Sequence, residues 1–153
     1  MTVENLSKEE LQEKFELFLF NMDDILEAFV DKLESKGITL DYSLNSLTLL
    51  ESYLSENKVT IKDDDYNDAS EYLGEVVRLK YGGKWICNLD DKDNSLYYGY
   101  PVIAGHSKFD VLFSPFHSVR IYLIRPRENH FKIAIESDIN PEPLNLDRFP
   151  TED

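Results

Sequence analysis

The stretch EYLGEVVRLKYGGKW, residues 71–85, contains three of the six glycines of the chain and its only tryptophan. A phosphate-binding loop needs a strand before its glycines and a helix after them, so that helix amides point at the anion. Here the order is reversed, because a helical pattern runs into Gly82-Gly83 and strand-forming residues follow. The two glycines are therefore predicted to end a helix and turn the chain into a strand. Gly74 lies inside that helix, where glycine costs ~1 kcal/mol relative to alanine, and it indicates close approach of another backbone.

The residues before this stretch have the periodicity of helices. Ser7 and Glu10 fit a capping box at the start of a long helix, and Gly37 supplies its left-handed end. A second helix is predicted over residues 43–56. The predicted buried stripe of the long helix consists of Leu11, Phe15, Phe18, Leu19, Met22, Leu26, Phe29 and Leu33. The pattern leaves open whether this helix packs within a monomer or across a homodimer.

Acidic residues mark the start and the middle of the third predicted helix. Three carboxylates precede it: Asp63, Asp64 and Asp65. Negative charge suits the positive end of a helix, and a carboxylate can cap its free amides. Farther along, Glu71 and Glu75 lie one turn apart with Arg78 close by, a spacing typical of a solvated face that carries an ion pair.

After Gly83 the pattern changes from helical to alternating. A hairpin is predicted, with one strand from Trp85 to Leu89, an acidic turn, and a second strand over residues 96–104. Pro101 suits an edge or bulge position because it has no amide to donate. Ser114-Pro115 reads as the start of a helix, although SVRIYLIRP also alternates as a strand would. Residues 1–140 are predicted to form a single domain, and residues 141–153, with three prolines, an extended tail.

Charge is the strongest compositional feature of the 153 residues. There are 30 Asp and Glu against 16 Lys and Arg, a formal net charge of −14. Such a field repels nucleic acid and anionic lipid and speeds encounter with a basic partner. The single cysteine excludes an internal disulfide, and we find neither a signal peptide nor a membrane span, so a cytoplasmic protein is expected. Nothing in the composition requires a cofactor.

No group of residues predicts a catalytic or metal site. The three histidines are scattered singly, without the H-x-x-x-H spacing that places two on one helical face. His106, Asp110 and His117 would be the candidates if the protein were a small hydrolytic enzyme, but no nucleophile elbow accompanies them. The acidic turn lacks the glycine and glutamate of a calcium loop. The tyrosines beside that turn are of the type enriched at interfaces.

The motif Y-L-G-E-V-x-R followed by G-G-x-W, with Tyr100-Pro101-Val102 and the Phe113-Ser114-Pro115-Phe116 element, resembles small acidic bacterial immunity proteins of toxin systems. The resemblance covers about residues 66–126. It implies an α+β domain in which Ser114-Pro115 begins a helix. With the helical and hairpin patterns, the predicted fold is α+β, with N-terminal helices packed on a small antiparallel sheet or hairpin that is followed by a C-terminal helix. The resemblance implies no catalytic residues.

These observations together predict a binding protein, with a basic, nuclease-type toxin domain as its partner. The alternative is a regulatory or scaffold domain that binds a protein without neutralising it. The first predicted contact surface is the hairpin, with Asp90, Asp91, Asp93, Tyr97 and Tyr98. The second is the set of helical carboxylates Asp63, Asp64, Asp65 and Glu71.

Overall fold

The computed structural model describes residues 6–89 and 98–140, which form an α+β fold. The helices in these residues are α1 (Lys8–Glu34), α2 (Ser46–Glu56), α3 (Asp64–Tyr81), α4 (Pro115–Ile124) and α5 (His130–Ile139). The strands are β1 (Lys84–Cys87), β2 (Pro101–Ala104) and β3 (Leu112–Phe113). They form an antiparallel sheet in the order β1-β2-β3. The predicted fold class is confirmed.

The long N-terminal helix begins at the predicted capping box. The Ser7 hydroxyl accepts from the Glu10 amide at 3.1 Å, and the Glu10 carboxylate accepts from the Ser7 amide at 3.1 Å. The predicted stripe is buried at most of its positions, but Leu19 is 41% exposed, so its assignment to the core was wrong. In this fold α1 packs on α3 and β1 of its own chain.

Helix α3 lies at the centre of the fold and contacts α1, α2, α4 and β2. Every residue from 69 to 77 is buried. As predicted, the helix ends at Gly82 (φ 87°), which lies in the positive-φ region that suits glycine. A Cβ on Gly83 would lie 2.6 Å from the Ala104 carbonyl oxygen, so the turn into β1 needs a glycine there as well.

Glycine is needed at position 74 for a different reason from the one predicted. No backbone approaches it closely enough to require glycine; a Cβ there would instead overlap the Trp85 ring and lie 3.0 Å from Cγ of Pro115. The missing side chain therefore makes room for the only tryptophan, which is 8% exposed. The motif joins α3 to both β1 and α4 through this contact.

The predicted hairpin is present as the β1–β2 pair, with Trp85 opposite Ile103 and Cys87 opposite Pro101. Pro101 was predicted at an edge or bulge, yet β2 is the central strand. The proline is tolerated because it is the first residue of β2, and β3 pairs only with Ile103 and Ala104. The acidic turn of the hairpin, residues 90–97, lies outside the described residues.

The segment after Ser114 is helical, as the resemblance implied. The Ser114 hydroxyl accepts from the His117 amide at 3.3 Å, and Pro115 is the first helical residue. Helix α5 was not predicted. Its start is capped from α2, because the Glu51 carboxylate accepts from the amides of Asn129 at 3.1 Å and Phe131 at 2.9 Å. That capping group is far away in sequence, which explains why no local signal marked the helix.

Candidate partner-binding surface

Most of the first predicted surface lies outside the described residues, namely Asp90, Asp91, Asp93 and Tyr97. Tyr98 follows directly and is half-buried. The hairpin therefore stays a prediction.

The acidic start of α3 is only partly available to a partner. Asp65 bonds to Lys32 and accepts from the Tyr53 hydroxyl at 2.9 Å, and its side chain is 13% exposed. The Lys32 pairing raises the pKa of that ammonium. Asp63 is the N-cap residue, but its side chain accepts from the Thr60 amide at 2.8 Å instead of capping α3. Asp63 and Asp64 are exposed, so two of these three carboxylates remain on the surface.

Glu71 is not on the surface at all, which corrects the prediction that it contacts a partner. Its exposed fraction is 0%, because α3 is covered on all sides at this level. One carboxylate oxygen accepts from the Asn67 amide nitrogen, and the other has no hydrogen-bond partner among the described residues. The pKa of Glu71 is raised to about 7, mainly by burial and to a smaller extent by the nearby Asp68 and Glu75, against the lowering effect of the Asn67 hydrogen bond.

Glu75 forms the predicted ion pair, but on a packed boundary and not on a solvated face. The Arg78 guanidinium donates to it through Nε at 3.0 Å and Nη2 at 2.8 Å. The Trp85 indole donates to the same carboxylate at 3.2 Å. The Glu75 side chain is 12% exposed. This carboxylate therefore orients the tryptophan that fills the space above Gly74.

The residues considered for an enzyme do not form the predicted group. The carboxylate that bonds His106 is Asp138, at 2.9 Å from Nε2, whereas Asp110 is exposed. The His106 side chain is 0% exposed, so a substrate cannot reach it in this conformation. His117 lines a different feature, a cavity of about 290 Å³ at the junction of α3 and α4.

The walls of this cavity are largely aromatic. The Phe116 ring lies 5.7 Å from Tyr66 and 5.9 Å from Tyr100, centroid to centroid, and the Tyr66 hydroxyl donates to the Phe116 carbonyl at 3.1 Å. Burial raises the pKa of Tyr66 to about 12. The volume is at the lower limit of ~300 Å³ for small-molecule sites. These contacts hold α4 on α3, so the role they support is packing.

The outward face of α1 is strongly acidic. All nine of its carboxylates are exposed: Glu9, Glu10, Glu13, Glu16, Asp23, Asp24, Glu27, Asp31 and Glu34. The helix has only Lys8, Lys14 and Lys32 as basic residues. Within residues 6–89 and 98–140, the ion pairs use Asp65, Glu75 and Asp138, and none uses a carboxylate of α1. The negative charge of this face is therefore directed at solvent.

Two apolar side chains lie within that charged face. Phe20 is 83% exposed and Leu17 is 61% exposed. At 100° per residue both point away from the buried stripe, and their spacing of three residues makes them neighbours. Sequence reasoning missed them. The available signal was the run FELFLF, residues 15–20, which has more apolar residues than one buried stripe can hold.

Two other kinds of site are absent from the part of the chain that the structure describes. No helix there is long and apolar enough to cross a membrane. No group of three or more His, Cys, Asp or Glu side chains is placed to hold a metal ion in the same residues.

Comparison of the chain with protein-family models, with curated proteins and with solved structures finds no match.

Proposed function

We propose that this protein binds a basic protein partner and neutralises it, as an immunity protein neutralises a nuclease-type toxin. The observation that supports this most directly is the outward face of α1, where nine exposed carboxylates have no ion-pair partner among the described residues. The sequence resemblance to immunity proteins points the same way. A cytoplasmic location belongs to the same proposal.

The physical argument rests on complementarity of charge. A nuclease must attract phosphate, so the surface around its active site is basic. A row of carboxylates on a rigid helix offers such a surface the same sign of charge as its substrate. Complementary fields raise the association rate at low salt, and salt screens them over ~10 Å at 0.1 M.

The position of α1 supports a binding role. Its inner face is fixed by α3 and β1, so the outer face is presented on a packed element. A rigid surface loses little conformational entropy on binding. The alternative function, a regulatory or scaffold domain, would use the same face, and only the effect on the partner separates the two.

The experiment has two stages. The tagged protein is first incubated with lysate of the source cells at low and high salt, and captured proteins are identified by mass spectrometry. The captured partner is then purified, and its nuclease activity is measured with and without this protein. Inhibition of a basic partner whose binding weakens with salt supports the proposal. A partner bound without loss of its activity indicates the scaffold function, and no partner at either salt contradicts both.

A pair of charge-reversal variants serves as the matched control. Glu13→Lys with Asp24→Lys changes the outward face of α1, and Glu56→Lys with Glu128→Lys changes exposed carboxylates elsewhere by the same net charge. The first pair should weaken binding at low salt much more than the second. A third variant at the hairpin, Asp91→Lys with Asp93→Lys, tests the surface predicted from the sequence. Equal losses of affinity in all three variants would show that binding depends on the net charge of the protein and not on the position of the carboxylates.

A further inference from the structure

We infer that Phe20 and Leu17 form the apolar anchor of the interface, and that the partner has an apolar pocket bordered by Lys or Arg side chains. This inference rests on the proposed function and adds the location and the chemistry of the contact. We call Phe20, Leu17 and the flanking Glu13, Glu16 and Asp24 the α1 anchor.

The fold does not need these two apolar side chains where they are. The buried side of α1 is already occupied, and Phe18 on its edge packs against Trp85 at 5.2 Å and Phe116 at 5.9 Å between ring centroids. Phe20, at 83% exposed, has most of its ring in water. A single exposed apolar residue is ordinary, but two neighbours on one helical face form a patch that a partner can cover.

The charges around the patch decide what kind of molecule fits. Glu16 and Asp24 lie four residues before and after Phe20, and Glu13 lies four residues before Leu17, so carboxylates border the pair along the helix. An apolar centre with a charged, hydrated rim is the usual organisation of a protein interface. The rim here is negative, so the complementary surface is positive.

The same charges argue against two other occupants. A second copy of this chain would bring an identical acidic face against the first in a symmetric dimer, and like charges placed opposite each other oppose association. An anionic membrane would be repelled for the same reason. A basic protein is therefore the occupant that the α1 anchor fits.

The test uses a defined probe, a synthetic 18-residue amphipathic helical peptide of Lys, Leu and Trp. Binding to the full chain is measured by titration calorimetry at 50 and 500 mM salt. Leu17→Ser with Phe20→Ser should raise the Kd about 30-fold or more, the size typical of losing central anchors. The matched control is Ile124→Ser, since Ile124 is 64% exposed on α4. Its Kd should stay within about twofold of the wild-type value.

Two further measurements locate the contact. In ¹H–¹⁵N spectra the peptide should shift amides of residues 13–24 most strongly, and shifts concentrated on another face would overturn the inference. An unchanged Kd in the variant with Leu17→Ser and Phe20→Ser, called the α1 variant below, would also overturn the inference. So would a failure of the peptide to bind the wild-type protein. Sedimentation velocity tests the second copy: a dimer that the α1 variant dissociates would assign the face to self-association.

Failure of this inference is distinguishable from failure of the proposed function. If a captured toxin is inhibited equally by wild type and by the α1 variant, the function stands and the anchor is wrong. If the peptide result holds but no partner is inhibited, the surface is a docking site and the immunity function is wrong.

Discussion

Replacing Glu71 with glutamine should stabilise the protein at pH 8 far more than at pH 5. In the folded state burial raises the pKa of Glu71 to about 7, whereas the ordinary value is 4.5. Between these two values the folded protein holds a proton that the unfolded chain releases. The free energy of unfolding therefore falls as pH rises through this window, and above pH 7 the full penalty of a buried carboxylate is present.

The magnitude follows from the width of the window. Each pKa unit corresponds to ~1.4 kcal/mol, so a rise from 4.5 to about 7 corresponds to about 3 kcal/mol in full. At pH 5 the unfolded carboxyl group is already largely ionised, so part of the penalty is present there. The change between pH 5 and pH 8 should therefore be about 2 to 3 kcal/mol.

Glutamine is the matched substitution because it keeps the shape and removes the charge. The Asn67 amide nitrogen can donate to the glutamine oxygen as it does to the carboxylate. The other carboxylate oxygen of Glu71, which has no hydrogen-bond partner in the part of the chain that the structure describes, is replaced by an amide nitrogen in the same buried place. Any energetic cost of burying that amide is independent of pH. It changes the difference in unfolding free energy between variant and wild type by the same amount at every pH.

The assay is urea unfolding of both proteins at pH 5, 6, 7 and 8, followed by Trp85 fluorescence. The quantity of interest is the difference in unfolding free energy between variant and wild type at each pH. Groups that titrate alike in both proteins cancel in this difference. A difference that stays constant within about 0.5 kcal/mol over the range, or that falls with pH, would refute a raised pKa at Glu71.

Three other substitutions test the packing that positions the site. Glu51→Gln should lower the free energy of unfolding by about 1 to 3 kcal/mol in urea at pH 8, because one of the two α5 amides that Glu51 caps then faces an NH₂ group. An unchanged urea midpoint would show that α5 does not need this cap. Gly74→Ala gains ~1 kcal/mol of helix propensity, but its methyl group overlaps the Trp85 ring. The free energy of unfolding should therefore fall by about 1 to 2 kcal/mol, and the Trp85 emission should shift. A stabilised variant would contradict the overlap. Tyr72→Phe removes the hydroxyl that forms hydrogen bonds with the Tyr42 amide at 2.8 Å and with the Ser46 hydroxyl at 2.7 Å. The free energy of unfolding should fall by about 1 to 2 kcal/mol, which lowers the melting temperature by several degrees. A melting temperature equal to that of wild type would argue against these bonds.

Local signals predicted the helix boundaries that local chemistry determines. The capping box at Ser7, the glycine end of α3 and the Ser114-Pro115 start of α4 are each specified within about four residues, and each is present. The start of α5 is not of this kind. Its capping carboxylate is Glu51, and the Asn129 backbone before it is left-handed with φ 61°. A cap that comes from another helix leaves no pattern near the helix it caps.

The wrong placement of Glu71 and the failure to identify Phe20 have one physical cause. Periodicity gives the relative polarity of the faces of a helix, but the number of neighbours that cover the helix is a tertiary property. Helix α3 is covered on all sides over residues 69–77, so the Glu71 carboxylate lies in the interior. Helix α1 is covered on one side only, so apolar side chains beyond its stripe remained outside.

Glu71 lowers the stability of the fold by burying a charge, whereas the Phe20 ring is largely in water in the folded protein as in the unfolded chain and contributes little to stability. The two positions also differ in what they can do for binding. Glu71 is enclosed and can affect a partner only through the stability of α3, whereas Phe20 can contact a partner directly. The two roles therefore separate experimentally: Glu71→Gln should change the unfolding free energy and leave affinity for the basic peptide unchanged, and Phe20→Ser should do the reverse. A loss of affinity in both variants would mean that binding depends on the stability of the whole helical layer. The assignment of the contact to the α1 anchor would then be wrong.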